Sequence, residues 1–218
     1  MKKGFFRRNG LSVVFAALFL FSIAAQTITG WKEHNEELQE YKQPGLSLPR
    51  YLASGHFVEA TFENWESEFL QMGLFVVTTI FLRQKGSSES KGDEPEDVDR
   101  EPDPLAKGAP WPVKRGGWIL AIYKNSLSLA LFSLFLISFI LHWLGSWKNY
   151  NLEQSLKRLP TETALQYLGN TKFWFESFQN WQSEFLSVWA IILFSVYLRQ
   201  KGSAQSKPVD APHSETGD

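Results

Sequence analysis

The sequence contains no cysteine. That excludes a disulfide framework, thiolate-bound zinc or iron–sulfur, and thiol redox chemistry, including that of small four-helix membrane oxidoreductases working through cysteine pairs. Charge excess of either sign is also missing. Lys and Arg total 22 against 23 Asp and Glu, so the 218-residue chain carries a formal charge of -1 and no electrostatic footprint for nucleic acid. No phosphate-binding glycine loop, nucleophile elbow or zinc-protease motif occurs. His34, His56, His142 and His213 show no ligand spacing. Neither enzyme activity nor a bound metal or cofactor is expected. Aromatic residues, in contrast, are abundant, with 18 Phe and 9 Trp, and the apolar residues are segregated into blocks.

Four such blocks stand out. Leu11–Ile28 and Ser126–Leu144 contain no charged residue. Each is about as long as a helix needs to cross a ~30 Å hydrocarbon layer. Phe69–Leu82 and Phe185–Leu198 are shorter, but each follows a Trp (Trp65, Trp181) and stops at Arg-Gln-Lys-Gly-Ser. Aromatics at one membrane interface and snorkelling cations at the other are anchors. The expected fold class is therefore an all-α membrane protein with four transmembrane helices, near residues 11–29, 66–83, 122–144 and 182–199. Fifteen of the 22 basic residues fall on the side holding both termini and the middle linker. The positive-inside rule then puts both termini in the cytoplasm of a bacterial inner membrane. Leu11–Ile28 also has the shape of a signal peptide.

A shift of 116 residues aligns the chain with itself without a gap. Asn64-Trp-Glu-Ser-Glu-Phe-Leu70 falls on Asn180-Trp-Gln-Ser-Glu-Phe-Leu186, and Leu82–Ser87 recurs unchanged as Leu198–Ser203. About 30 of roughly 83 aligned positions are identical, which reads as a duplication. Leu11–Ile28 thus matches an interior segment, which favours a retained helix over a cleaved signal. Each unit, residues 1–85 and 116–201, is a helical hairpin of the same orientation, a parallel repeat. Connections of about 35 residues should hold short surface helices, broken at Pro44 and Pro160. Residues 86–115, acidic and rich in Pro, read as a disordered cytoplasmic linker, and residues 202–218 as a disordered tail.

The pairing of N-W-[EQ]-S-E-F-L before a helix with L-R-Q-K-G-S after it resembles a family of uncharacterised bacterial membrane proteins, a domain of unknown function. The resemblance covers nearly the whole chain, about residues 9–91 and 125–207. It implies an integral membrane protein and brings no activity, ligand or catalytic residue.

The strongest polar constellation is Asn64, Ser67 and Glu68 with Asn180, Ser183 and Glu184. Spacing i, i+3, i+4 puts each trio on one helix face. Two explanations compete. The Asn residues cap helix starts while the Glu residues complement the helix dipole, or the carboxylates form a cation or proton site within a membrane. Trp31, Trp65, Trp147, Trp181, Arg83, Lys85, Arg199 and Lys201 are expected as interfacial anchors. Expected partners are the lipid bilayer and a second copy of the chain, with no small-molecule substrate identified. The composition points to a structural or accessory membrane protein. The duplication and the two Glu residues leave open a small oligomeric transporter or channel.

Overall fold

A computed structural model describes Gly4–Gly217. Among these residues every regular element is helical. They are α1 (Phe5–Glu40), α2 (Leu48–Tyr51), α3 (Gly55–Phe81), α4 (Trp111–Arg115), α5 (Gly117–Lys124), α6 (Ser126–Leu156), α7 (Ala164–Tyr167) and α8 (Thr171–Tyr197), with a 3-10 turn at Asp97–Asp99. Two of them, α1 and α6, are long and apolar enough to cross a membrane. None of the apolar window of α1 is buried, and 17% of that of α6 is.

The long helices outrun the expected spans. The residues following the first apolar run, Trp31–Glu40, are mostly good helix formers and contain neither Gly nor Pro, so nothing stops α1 at residue 29. Most of each 35-residue connection is consequently helix. The stop comes at Lys42, which takes the left-handed conformation (φ 58°), and at Arg158 after α6 (φ 56°). Around each, backbone amides turn back to the orphan carbonyls of the last turn: Gln43 to Leu38 (2.9 Å) and Leu159 to Gln154 (2.8 Å). Pro44 and Pro160 follow within two residues, where a helix could not resume.

The chain divides into two compact units. The first comprises residues 1–62 and 141–173. Here the start of α3 crosses the later part of α6 at very short range. A Cβ added to Gly55 would lie 2.5 Å from the Asn149 backbone nitrogen, and one added to Gly145 would lie 2.6 Å from that of Glu59. Glycine at both positions lets the backbones touch. The core of this unit is small and aromatic: Tyr51, Tyr167 and Phe173 are fully buried, and Leu38 nearly so.

The second unit comprises residues 63–140 and 174–218. Arg83 closes α3 by folding back, donating from Nη1 to the carbonyls of Ile80 and Leu82 and from Nε to Gly92. Arg199 does the same at α8 with Val196, Leu198 and Pro208. Cations satisfying last-turn carbonyls also oppose the negative end of the helix dipole. Residues 86–115 contain the 3-10 turn, α4 and an ion pair of Lys91 with Asp99. In the tail, Lys207 is buried and donates to the carbonyls of Pro212, His213 and Glu215, while the Thr216 hydroxyl accepts from the Gly86 amide at 2.9 Å.

Candidate functional site

The first unit holds two polar corners. In the first, α1 carries Trp31 and Asn35 far enough to grip the connection. Trp31 Nε1 donates to the Leu46 carbonyl (2.6 Å), and the Asn35 amide both donates to that carbonyl (3.1 Å) and accepts from the Leu46 amide (2.6 Å). This clamp seats α2 and drives Tyr51 inward, where its ring meets those of His34, His56 and Phe57 at 5.5–5.9 Å. The Tyr51 hydroxyl donates to His56 Nδ1 (3.1 Å), and His56 Nε2 lies 3.2 Å from Glu33 Oε2. Together these fix the imidazole with its proton on Nε2.

His34 stacks on His56, with ring centroids 4.7 Å apart and planes 24° from parallel. It is 1% exposed, and neither ring nitrogen has a well-directed hydrogen bond; Glu37 Oε2 stands 3.5 Å from Nδ1. Burial, reinforced by His56, pushes the His34 pKa below the usual histidine value against the opposing pull of Glu37 and Glu33. Burial and the Glu33 charge push Tyr51 up to about 12.

The second corner uses the same clamp 116 residues later. Trp147 Nε1 donates to the Glu162 carbonyl (2.7 Å), and Asn151 grips the Glu162 backbone in both directions (2.7 and 2.9 Å). Tyr167 takes the place of Tyr51, and Tyr150, matching His34, packs on it at 5.0 Å. The polar partners differ. Ser146 stands where the first corner has Gly30, and its hydroxyl lies 2.6 Å from that of Tyr167 while donating to Glu59 Oε1 at 3.0 Å. Lys172, matching His56, sits between Glu59 (3.6 Å) and Glu153 (3.3 Å). The Glu59 carboxylate, 7% exposed, is thereby both hydrogen-bonded and ion-paired, which a buried charge requires.

The residues singled out from the sequence fall in the second unit. Asn64 and Asn180 do not cap helix starts, because α3 begins at Gly55 and α8 at Thr171. The capping side chains are Ser54, which accepts from the Phe57 amide (3.2 Å), and Asn170, which accepts from the Lys172 amide (2.9 Å). Both were hidden in the sequence by the assumption that the helices begin at the motif. Glu68 and Glu184, well inside their helices, cannot serve the helix dipole, whose effect fades after the first turn. Ser67 and Ser183 each bond back to the carbonyl three residues earlier (2.8 Å), Ser67 buried and Ser183 exposed.

Of the six, Glu68 and Glu184 come together, close enough for their carboxyl groups to act on one another. One turn further along, α3 and α8 border a groove of about 310 Å³ lined by Gln71, Leu74, Phe75, Thr78, Phe185 and Trp189, among others. Glu66 is fully buried and accepts from Trp181 Nε1 at 2.9 Å. Trp31, Trp147 and Trp181 thus all spend their indole N–H on protein acceptors. Trp65 is half-buried, and Lys85 and Lys201 are exposed beside the folded-back Arg83 and Arg199.

His34 and His56 carried no sequence signal, since residues 22 apart meet only when the connection folds α3 back on α1.

Residues 2–218 match a family model described as a domain of unknown function, DUF6766, and the chain belongs to that family. No curated protein and no solved structure matches it.

Proposed function

We propose that this member of the DUF6766 family is a four-span protein of the bacterial inner membrane with a structural or accessory role in the envelope and no catalytic activity. Both termini and the 86–115 linker lie in the cytoplasm, and the α1–α3 and α6–α8 connections lie outside. The observation that carries it is the bare apolar surface of α1. Phe15, Leu18, Leu20 and Phe21 are 55–73% exposed, within a window none of which is buried. A helix apolar all round is stable against hydrocarbon or protein, not against water. For α3 and α8 the support is the apolar run of each, ended by Arg83 or Arg199. The two Trp–Asn clamps and the two Arg closures, each pair 116 residues apart, support a parallel duplication. The test is extraction and labelling. The protein should stay in the membrane pellet at alkaline pH. A cysteine replacing exposed Ser47 should react with an impermeant maleimide in intact cells, and one replacing exposed Asp103 only after permeabilisation. Release into the supernatant, or reversed labelling, refutes the proposal.

The approach of Glu68 to Glu184 beside the α3–α8 groove favours a second reading, a small oligomeric transporter or channel using these two residues. Two carboxylates that approach one another repel, which favours a proton or cation between them, so exchange at this pair could drive transport. Proteoliposomes should then show a proton or cation flux that Glu68→Gln and Glu184→Gln each abolish. Flux absent from the wild type, or unchanged in the variants, removes this reading.

A further inference from the structure

We propose that the His34–His56 corner is an acid-sensitive joint, in which protonation of His34 releases α2 from its seat between α1 and the start of α3. This goes beyond the membrane role proposed above and does not depend on which of its two readings holds.

Three observations converge. First, His34 is buried at the centre of the joint with no well-directed hydrogen bond to either nitrogen, so an imidazolium there would have two N–H donors and only the Glu37 carboxylate, 3.5 Å from Nδ1, to receive one of them. Second, it lies flat against His56 at 4.7 Å. A charge on His34 would therefore sit directly against a second imidazole, the one that holds the Tyr51 hydroxyl. Third, the two histidines hold the residue that anchors α2 in its seat. Tyr51 is held by its hydroxyl bond to His56 and by rings that include both histidines.

The titratable groups acting on His34 are His56 from α3, Tyr51 from α2, and Glu37 and Glu33 from α1. The two carboxylates favour the charged form but stand toward solvent, with side chains 37% and 68% exposed. Burial and His56 oppose it and prevail. A histidine whose pKa is depressed in the closed state binds protons more tightly once released. The closed joint therefore keeps its full stability above the ordinary histidine value of about 6.5 and loses it as pH falls below that. Each unit of depression is worth about a tenfold change in the opening constant. The second corner has Tyr150 where His34 stands, so the joint would be a property of one corner only.

The experiment is hydrogen exchange on the full-length protein in detergent, at pH 7.5 and 5.0, corrected for the intrinsic rate. Protection of amides in residues 48–58 should fall about tenfold or more at pH 5.0. That loss should disappear in His34→Tyr, which borrows the residue used at the matching position, and in His34→Gln. Equal protection of the wild-type segment at both pH values overturns the proposal whether or not the variants fold. So does an acid loss spread evenly over the whole chain, or one that persists in either variant.

Discussion

Gly30 faces the fully buried Tyr51, and replacing it with alanine tests how tightly the first corner is packed. A Cβ at this position would collide with the Tyr51 hydroxyl oxygen, closer than the 3.0 Å that real Cβ contacts respect, while the ring carbon Cζ would stand at an ordinary 3.5 Å. The hydroxyl must retreat by roughly 1 Å to reach normal contact. It has little room, being 1% exposed, hydrogen-bonded to His56 and ringed by His34, His56 and Phe57. Overpacking of this kind costs ~1–3 kcal/mol. Loss of the His56 bond adds ~0.5–1.5 kcal/mol. Against this, alanine improves a helix interior by ~0.5–1 kcal/mol over glycine. The net expectation is a loss of ~1–3 kcal/mol, read as a fall of about 2–4 °C in Tm per kcal/mol for a chain of this size. Tyr51→Phe removes the colliding atom and leaves only the 3.5 Å contact. In that background Gly30→Ala should be neutral or slightly stabilising, so the sign of the substitution reverses. Thermal unfolding of the two single variants and the double variant in detergent measures it. Equal damage by Gly30→Ala in both backgrounds refutes the collision as the cause.

Three further outcomes follow from the same geometry. Gly145→Ala should cost at least as much as Gly30→Ala, ~1–3 kcal/mol, because the nearest obstacle is the Glu59 backbone nitrogen at 2.6 Å, and no single side-chain truncation relieves it; thermal unfolding checks this. Ser54→Ala and Asn170→Ala should each lose ~0.5–2 kcal/mol as true N-caps. Asn64→Ala, at an exposed mid-helix position, should stay within about ±0.5 kcal/mol; the opposite order in Tm would restore the motif as a helix start. Lys172→Met should destabilise by ~1–3 kcal/mol, below the range for a fully buried pair because Lys172 is 34% exposed. Glu59→Gln should recover most of that loss, as coupling in a double-mutant cycle.

Much of this protein is written in the order of its residues. Runs such as Leu11–Ile28 and Ser126–Leu144 have no polar alternative, so composition alone makes them helices seeking an apolar surrounding. The 116-residue shift pairs Trp31 with Trp147, Asn35 with Asn151, and Tyr51 with Tyr167 in the sequence. Their tasks were not legible. Trp31 and Trp147 read as membrane anchors because an indole near an apolar run usually is one; that each N–H is also taken by a connection carbonyl had no signal in the sequence. The ends of the helices are set locally. Hydropathy marks where apolar residues stop, whereas a helix continues until its backbone meets a residue such as Lys42 that turns it, and good helix formers lie between.

Only tertiary structure could bring His34 onto His56, Ser146 to Glu59, or Glu68 to Glu184. Each pair joins two different helices, and no periodicity within one helix encodes which face of another will meet it. That choice was made by packing. Gly55 and Gly145 let α3 and α6 approach at backbone distance, and the Asn clamps set how far each connection folds back. The residues on those faces became a polar corner as a consequence.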